Sequence, residues 1–182
     1  MQQNTKNERY YKNMLKKAFT DENTVYIEEM PISSSIADSV ILSDEAIVYE
    51  IKTDLDSLQR LSSQISDYYK VFSIIYVVVG KKHLKGVHDI LDDTPVGILE
   101  LTDHGFVCHK KAIIYNDKLS YDAMFQMLRK KEFEKIVKEI NGALPEVNDF
   151  IYYNTCLNII KNKIDILMFQ KYVINTYKKR NS

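Results

Sequence analysis

The sequence predicts an α/β fold, a mixed sheet flanked by helices and followed by a C-terminal helical extension. Residues 73–80, "SIIYVVVG", form a nearly continuous β-branched apolar run, which is typical of a central strand covered on both faces. Runs of this kind alternate with segments whose apolar residues recur at helical spacing. From Tyr121 onward only helical spacing remains, so the helices of the last third form a separate part.

The predicted elements follow in order along the chain. Residues 4–19 read as a short helix, and β-rich runs at 24–32, within 33–44 and at 45–52 read as three strands. Asp44 and Glu45 would form the tight turn of a hairpin between the second and third strands.

A helix is expected over residues 54–71, where Leu55, Leu58, Leu61, Ile65 and Tyr68 lie on one stripe. The central strand, a short helix at 82–91 and two further strands complete the core. We therefore predict a core domain over residues 1–115 and a helical subdomain over 116–182 that packs on it.

Composition narrows the class of protein. The 182 residues are 45% apolar and 27% charged, which suits a globular domain. The sequence has no run of about 18 apolar residues that would span a membrane. The N-terminus lacks the apolar segment of a secretory signal, so we expect a cytoplasmic protein. Cys108 and Cys156 are isolated, which argues against a disulfide framework or a zinc site.

Charge is unevenly distributed although the formal net charge is zero. Residues 1–100 hold 11 Lys and Arg against 16 Asp and Glu, and residues 101–182 hold 14 against 9. An acidic first part of the chain and a basic second part would fit a metal-binding centre followed by a phosphate-binding extension. Ordinary solvated helices would give the same distribution, so both interpretations stay open.

The run "EAIVYEIK", residues 45–52, carries charge in a strand that should be buried. Because alternate residues of a strand share a face, Glu50 and Lys52 point one way and their apolar neighbours point the other. Counting from the turn, Asp38 falls opposite residue 51, and a bulge would bring it level with Glu50. Two carboxylates at one point need a cation between them. Mg²⁺ or Mn²⁺ held by Asp38, Glu50 and the Ile51 backbone carbonyl would suit this donor set.

Lys52 would orient or deprotonate a metal-bound water, or neutralise charge that develops in the transition state. The helix that follows adds Gln64 and Tyr68, which lie one turn apart on one edge. Its N-terminus, expected near residues 53–56, would be a natural place for a phosphate.

These residues resemble a known signature. Asp38, followed after an 11-residue gap by Glu50-Ile51-Lys52, resembles the D…(D/E)xK pattern of the PD-(D/E)XK superfamily of restriction-endonuclease-like nucleases. "QISDY", residues 64–68, resembles the QxxxY element of its RecB-like members. The wider run from Glu50 to Phe72 is similar to a small bacterial and phage family of predicted nucleases. The resemblance covers about residues 8–112, and Ala37 stands where the superfamily pattern has proline.

The resemblance implies Mg²⁺-dependent hydrolysis of phosphodiester bonds, with Asp38 and Glu50 holding the metal, Lys52 as the catalytic lysine and Gln64 as an auxiliary catalytic residue. It also implies a further acid from the first helix or strand, for which Glu8 and Glu29 are candidates beside Glu28, while Tyr68 would line the channel. DNA is the expected substrate, with RNA left open, and a phage or mobile-element role fits.

The alternative is a catalytically inactive protein of nuclease fold that binds nucleic acid or inhibits a partner enzyme. The C-terminal helices would then serve as the surface for a protein partner or for a second copy of the chain.

Overall fold

A computed structural model describes residues 7–181 of the chain and divides it into two compact units between Lys118 and Leu119. Within these described residues, the first unit holds one six-stranded sheet and three helices, and the second holds four helices. The predicted α/β class, with a mixed sheet flanked by helices and a C-terminal helical part, is therefore confirmed.

The strands of the first unit lie in the sheet in the order in which they occur along the chain. The elements of this unit are α1 (Glu8–Phe19), β1 (Val25–Ile32), β2 (Ser35–Leu42), β3 (Ala46–Lys52), α2 (Leu61–Tyr68), β4 (Ile74–Val79), α3 (Leu84–Leu91), β5 (Gly97–Thr102) and β6 (Gly105–Lys110). Strands β1, β2 and β3 form an antiparallel meander, β3, β4 and β5 are parallel, and β6 returns antiparallel to β5.

The second unit contains α4 (Tyr121–Gln126), α5 (Lys130–Asn141), α6 (Asp149–Lys163) and α7 (Ile166–Asn181). Gly142 ends α5 in the left-handed region with φ 80°, a backbone conformation that favours glycine. Ion pairs between Lys161 and Asp122 and between Arg180 and Glu132 join helices within this unit.

One apolar cluster of the first unit lies between α1 and one face of the sheet. Tyr11 and Leu15 of α1 pack against Tyr49 and Ile51 of β3 in one apolar cluster. Ile47 packs against the same cluster, so the odd-numbered residues of β3 face α1, as strand alternation predicts. Val48, Glu50 and Lys52 are left for the opposite face.

Two local predictions are wrong. The helix predicted from residue 54 begins only at Leu61, because the Asp56 side chain accepts hydrogen bonds from the backbone N–H and hydroxyl of Thr53 and closes a turn there. Leu55, expected on the buried stripe, is 80% exposed. Since no helix begins near residues 53–56, the phosphate site predicted at that helix N-terminus does not exist.

The hairpin turn between β2 and β3 is also longer than predicted. Leu42 pairs with Ala46, and three residues form the turn, in which Ser43 N–H donates to the Glu45 carbonyl. The register Ser39↔Tyr49, continued by one residue, places Asp38 level with Glu50 and not with Ile51. No bulge is therefore needed to align the two carboxylates.

Candidate active site

The candidate site lies at the end of β3, on the face of the sheet that looks away from α1. Strand β3 supplies Glu50 and Lys52, β2 supplies Asp38, and α2 supplies Gln64 and Tyr68. The five side chains predicted from the sequence are therefore assembled from three elements into one group.

Glu50 is at the centre of this group and is 1% exposed. Its Oε1 accepts hydrogen bonds from Lys52 Nζ at 2.7 Å and from Gln64 Nε2 at 2.6 Å. Its Oε2 accepts the Tyr68 hydroxyl at 2.5 Å. A buried carboxylate is tolerated only when its oxygens are hydrogen-bonded, and Glu50 meets that condition through three donors.

Lys52 is held in the same network. Besides Glu50, its ammonium group donates to Gln64 Oε1 at 2.9 Å, and its side chain is 8% exposed. The Gln64 amide thus accepts from Lys52 and donates to Glu50, and this fixes both charged groups. Burial, and then the negative charge of Glu50, raise the pKa of the Tyr68 hydroxyl above its ordinary range, so it stays a donor.

Asp38 differs from Glu50 because it has a weaker set of partners. Its Oδ2 accepts the Ile51 backbone N–H at 2.6 Å. Burial, and then the charge of Glu50, raise the pKa of Asp38 to about 7, whereas the Ile51 N–H and Lys52 act in the opposite direction. Asp38 is therefore a carboxylate whose negative charge lacks compensation at neutral pH.

The Ile51 carbonyl was predicted as a third oxygen ligand. The N–H and C=O of one residue in a strand face the same neighbouring strand. Since the Ile51 N–H binds Asp38, its carbonyl is directed to the Asp38 side of β3 as well.

The two auxiliary acids, Glu8 and Glu29, are brought together by a residue that the sequence did not single out. Lys12 of α1 lies 2.6 Å from Glu8 Oε1 and 3.2 Å from Glu29 Oε1, and its own side chain is 5% exposed. A buried lysine could have been noticed from its place beside Tyr11 and one turn after Glu8, but a lysine on an amphipathic helix normally faces water.

Glu29 also lies at a distorted point of the sheet. Its φ of 53° is in the left-handed region, which a residue other than glycine rarely adopts. The pairing of β1 with β2 passes from Glu28↔Ser39 to Met30↔Ala37, and the skipped row holds Glu29 and Asp38. Glu29 and Asp38 therefore stand at the one interruption in this stretch of the β1–β2 pairing.

The donor set suits a hard divalent cation. Within residues 7–181 no group of three or more His, Cys, Asp or Glu side chains is placed to hold a metal ion. A cation here would therefore rest on Asp38 and Glu50, with backbone oxygen and water completing its shell. Mg²⁺ is commonly held by one or two carboxylates in this way.

Among the described helices, none is long and apolar enough to cross a membrane. Cys108 is exposed and Cys156 is buried, and both are free thiols.

Protein cII of Enterobacteria phage P4 is 24% identical to this chain over 172 residues. The match covers 92% of the chain and 63% of the phage P4 protein, so the chain spans less than two thirds of that relative's length.

Two solved structures are more distantly similar. The SPO1766 protein of unknown function from Silicibacter pomeroyi has a TM-score of 0.41 and 16% identity, over 66% of this chain and 82% of its own. SfsA of Pyrococcus furiosus, solved in complex with Ca²⁺, has a TM-score of 0.36 and 13% identity, over 57% of this chain and 62% of its own.

A family model described as Bacteriophage P4 protein cII matches residues 1–182. The phage association predicted from the sequence is confirmed at the level of the family. The chain belongs to the bacteriophage P4 protein cII family.

Proposed function

We propose that this chain is a metal-dependent nuclease that hydrolyses phosphodiester bonds in DNA. The observation that carries the proposal is that Asp38 accepts the backbone N–H of Ile51, while Glu50, the preceding residue, has the Lys52 ammonium group 2.7 Å from its carboxylate. The resemblance to the PD-(D/E)XK pattern supports the same function, since its residues are those that converge. RNA remains open as a substrate.

Asp38, Glu50 and the Ile51 carbonyl would hold Mg²⁺ or Mn²⁺. The bound ion would polarise the scissile phosphodiester and make a coordinated water more acidic. Gln64 and Tyr68 fix the Glu50 carboxylate, and the Ile51 N–H fixes one oxygen of Asp38. Both carboxylates are thus positioned before a ligand arrives, which reduces the cost of reorganisation.

Lys52 supplies a positive charge at the end of β3. Its contact with Gln64 leaves the ammonium group fixed beside Glu50 and not free in solvent. In this position it would orient the attacking water, or neutralise the charge that develops on the phosphoryl oxygens. Either role requires the ammonium group and not merely the length of the side chain.

Cleavage of DNA by matched variants tests the proposal. We expect the wild type to nick or degrade plasmid DNA with Mg²⁺ or Mn²⁺, and Lys52→Met to lower the rate by about 100- to 1,000-fold. Glu50→Gln should abolish metal-dependent cleavage, because it removes the negative charge of a proposed metal ligand. Lys85→Met and Glu45→Gln, which change exposed residues, serve as controls. Equal traces of cleavage by the wild type and all four variants would indicate contamination and contradict the proposal.

One observation favours the alternative of an inactive protein of the same fold. Glu50 already has three internal donors, so its charge is satisfied without a metal ion. Calorimetric titration with Mn²⁺ separates the two functions. No heat of binding, together with tight association with DNA or a protein, would favour the inactive binding module over the enzyme.

A further inference from the structure

The outer face of α5, in the second unit, is a stripe of three lysines. Lys131, Lys135 and Lys138 are exposed and recur at spacings of four and three residues, which places them on one face of the helix. The opposite face of α5 is buried and apolar, and it consists of Phe133, Ile136 and Val137. The lysine stripe therefore points away from the core of its unit.

The glutamates of α5 flank the lysine stripe, but their partners lie on the neighbouring helices. Glu132 forms an ion pair with an arginine of α7. Glu134 accepts the hydroxyl of Tyr152 at 2.9 Å, and Glu139 accepts the hydroxyl of Tyr172 at 2.7 Å. Within the part of the chain that the structure describes, no ion pair involves the ammonium groups of the stripe. The acids of α5 are thus used inside the unit, and its outer lysines face solvent.

This distribution of charge is unfavourable for the helix itself. Like charges three or four residues apart repel each other, as in the pairs Lys131–Lys135 and Lys135–Lys138. A solvated helix relieves such repulsion by pairing a lysine with a glutamate one turn away. Glu134 and Glu139 lie at that distance from Lys138 and Lys135, yet both accept from tyrosines. Helix stability does not explain the stripe, so an anionic ligand is the better explanation.

The dimensions of the stripe suit the phosphates of a nucleic acid. At a rise of about 1.5 Å per residue, the distance from Lys131 to Lys138 along the helix is about 10 Å. One strand of a DNA duplex carries three phosphates over about the same length of its axis. An anionic membrane surface suits the stripe less well. The apolar face of α5 is buried within the unit, so the helix has no apolar side chains to insert between lipids.

We propose that the lysine stripe of α5 binds the phosphate backbone of DNA without reading its sequence. A lysine ammonium group is a point charge, and contacts with phosphate position a protein on a duplex but carry no information about the bases. The inference goes beyond the proposed function, because such a contact serves an active nuclease and an inactive binding module equally.

Fluorescence polarisation with a labelled DNA duplex, in the presence of a chelator, tests the inference without metal or cleavage. We expect the triple variant Lys131→Gln, Lys135→Gln, Lys138→Gln of the full chain to bind about tenfold or more weakly than the wild type. The slope of the logarithm of affinity against the logarithm of salt concentration should fall by about 2.7, because each phosphate contact contributes about 0.9.

A second triple variant, Lys163→Gln, Lys171→Gln, Lys179→Gln, is the matched control. It removes three exposed lysines from α6 and α7 of the same unit, so the change in net charge is identical. Its affinity should stay within about threefold of that of the wild type. Thermal unfolding should show that the stripe variant is at least as stable as the wild type, because the repulsion between its lysines is relieved.

Equal losses of affinity in the two triple variants would show that binding follows net charge and not the α5 face, and the inference would be wrong. A wild type that does not bind the duplex also contradicts it. A stripe variant that binds DNA like the wild type, but no longer binds vesicles containing phosphatidylglycerol, would assign the face to a lipid surface instead. None of these results depends on cleavage, so the proposed nuclease function stands or falls separately with Lys52→Met.

Discussion

Glu50 and Asp38 are neighbouring carboxylates that the fold treats differently. Glu50 receives three side-chain donors, whereas Asp38 receives one backbone N–H. The difference follows from the positions of the two residues. Glu50, on β3, faces the polar edge of α2, whereas Asp38, on β2, lies just beyond Ser39, where the β2–β3 pairing ends. The uncompensated charge therefore belongs to Asp38.

This imbalance gives the stability of the protein a pH dependence in the absence of metal. A carboxyl group with a pKa of about 7 in the fold, and a pKa near its ordinary value of about 4 when unfolded, keeps its proton longer in the folded state. Stability contributed by Asp38 is thus lost as the pH rises from about 4 to about 7. Asp38→Asn removes the charge and keeps an acceptor for the Ile51 N–H.

We expect Asp38→Asn to raise the melting temperature by a few degrees at pH 8 in the presence of a chelator. Each kcal/mol added to the free energy of unfolding shifts the melting temperature by about 2–4 °C. The variant should have little effect at pH 4. Thermal unfolding at both pH values measures it. With Mn²⁺ at pH 8 the order should reverse, because only the wild type can gain free energy from binding the ion. Equal melting temperatures of the two proteins at pH 8 in the presence of a chelator would show that the charge of Asp38 does not destabilise the fold.

At the scale of elements, one buried carboxylate connects the strand and the helix that carry the site. Asp67 of α2 accepts hydrogen bonds from Ser34 and Ser35 in the β1–β2 hairpin at 2.6 and 2.7 Å, and from Lys70 at 2.6 Å. Burial opposes the ionisation of Asp67, but these hydrogen bonds outweigh it and hold its pKa well below the usual range. The connection keeps α2, with Gln64, in place against β2, with Asp38.

Asp67→Ala should destabilise the fold by about 1–3 kcal/mol at pH 7, because it leaves serine hydroxyls without their acceptor. Since the pKa of Asp67 is lowered in the fold, its contribution is present above about pH 4 and is lost as the pH falls further. Urea unfolding of the variant against Ser66→Ala, an exposed change on the same helix, measures the difference at pH 7. Destabilisation equal to that of Ser66→Ala would contradict the role assigned to Asp67.

The sequence predicted the strands better than the turns. Hydrophobic runs and alternation were sufficient to place Glu50 and Lys52 on one face of β3, because the period of two is imposed by the backbone. The start of α2 was missed because Thr53 and Asp56 form a side-chain turn whose geometry competes with the helix. Lys12 was missed for another reason. Its partner Glu29 is 17 residues away, and only the folded sheet reveals that contact.

At the scale of the molecule, the two compact units differ in charge. Residues 1–118 hold 14 Lys and Arg against 18 Asp and Glu, whereas residues 119–182 hold 11 against 7. The candidate site and its acids belong entirely to the first unit, and the excess of positive charge belongs to the second. Phosphate contacts make binding to nucleic acid depend on salt, whereas a metal site depends on specific ligands.

This separation predicts that metal binding and DNA binding can be divided between the units. A fragment of residues 1–118 holds every proposed ligand, so it should bind Mn²⁺ with an affinity within about threefold of that of the full chain. Its affinity for a labelled oligonucleotide should fall by about tenfold or more, because a fragment with net negative charge releases fewer counterions. Calorimetry and fluorescence polarisation at two salt concentrations measure the two affinities, and circular dichroism shows whether the fragment is folded. A folded fragment with the same DNA affinity and salt dependence as the full chain would show that residues 119–182 do not contribute to nucleic-acid binding.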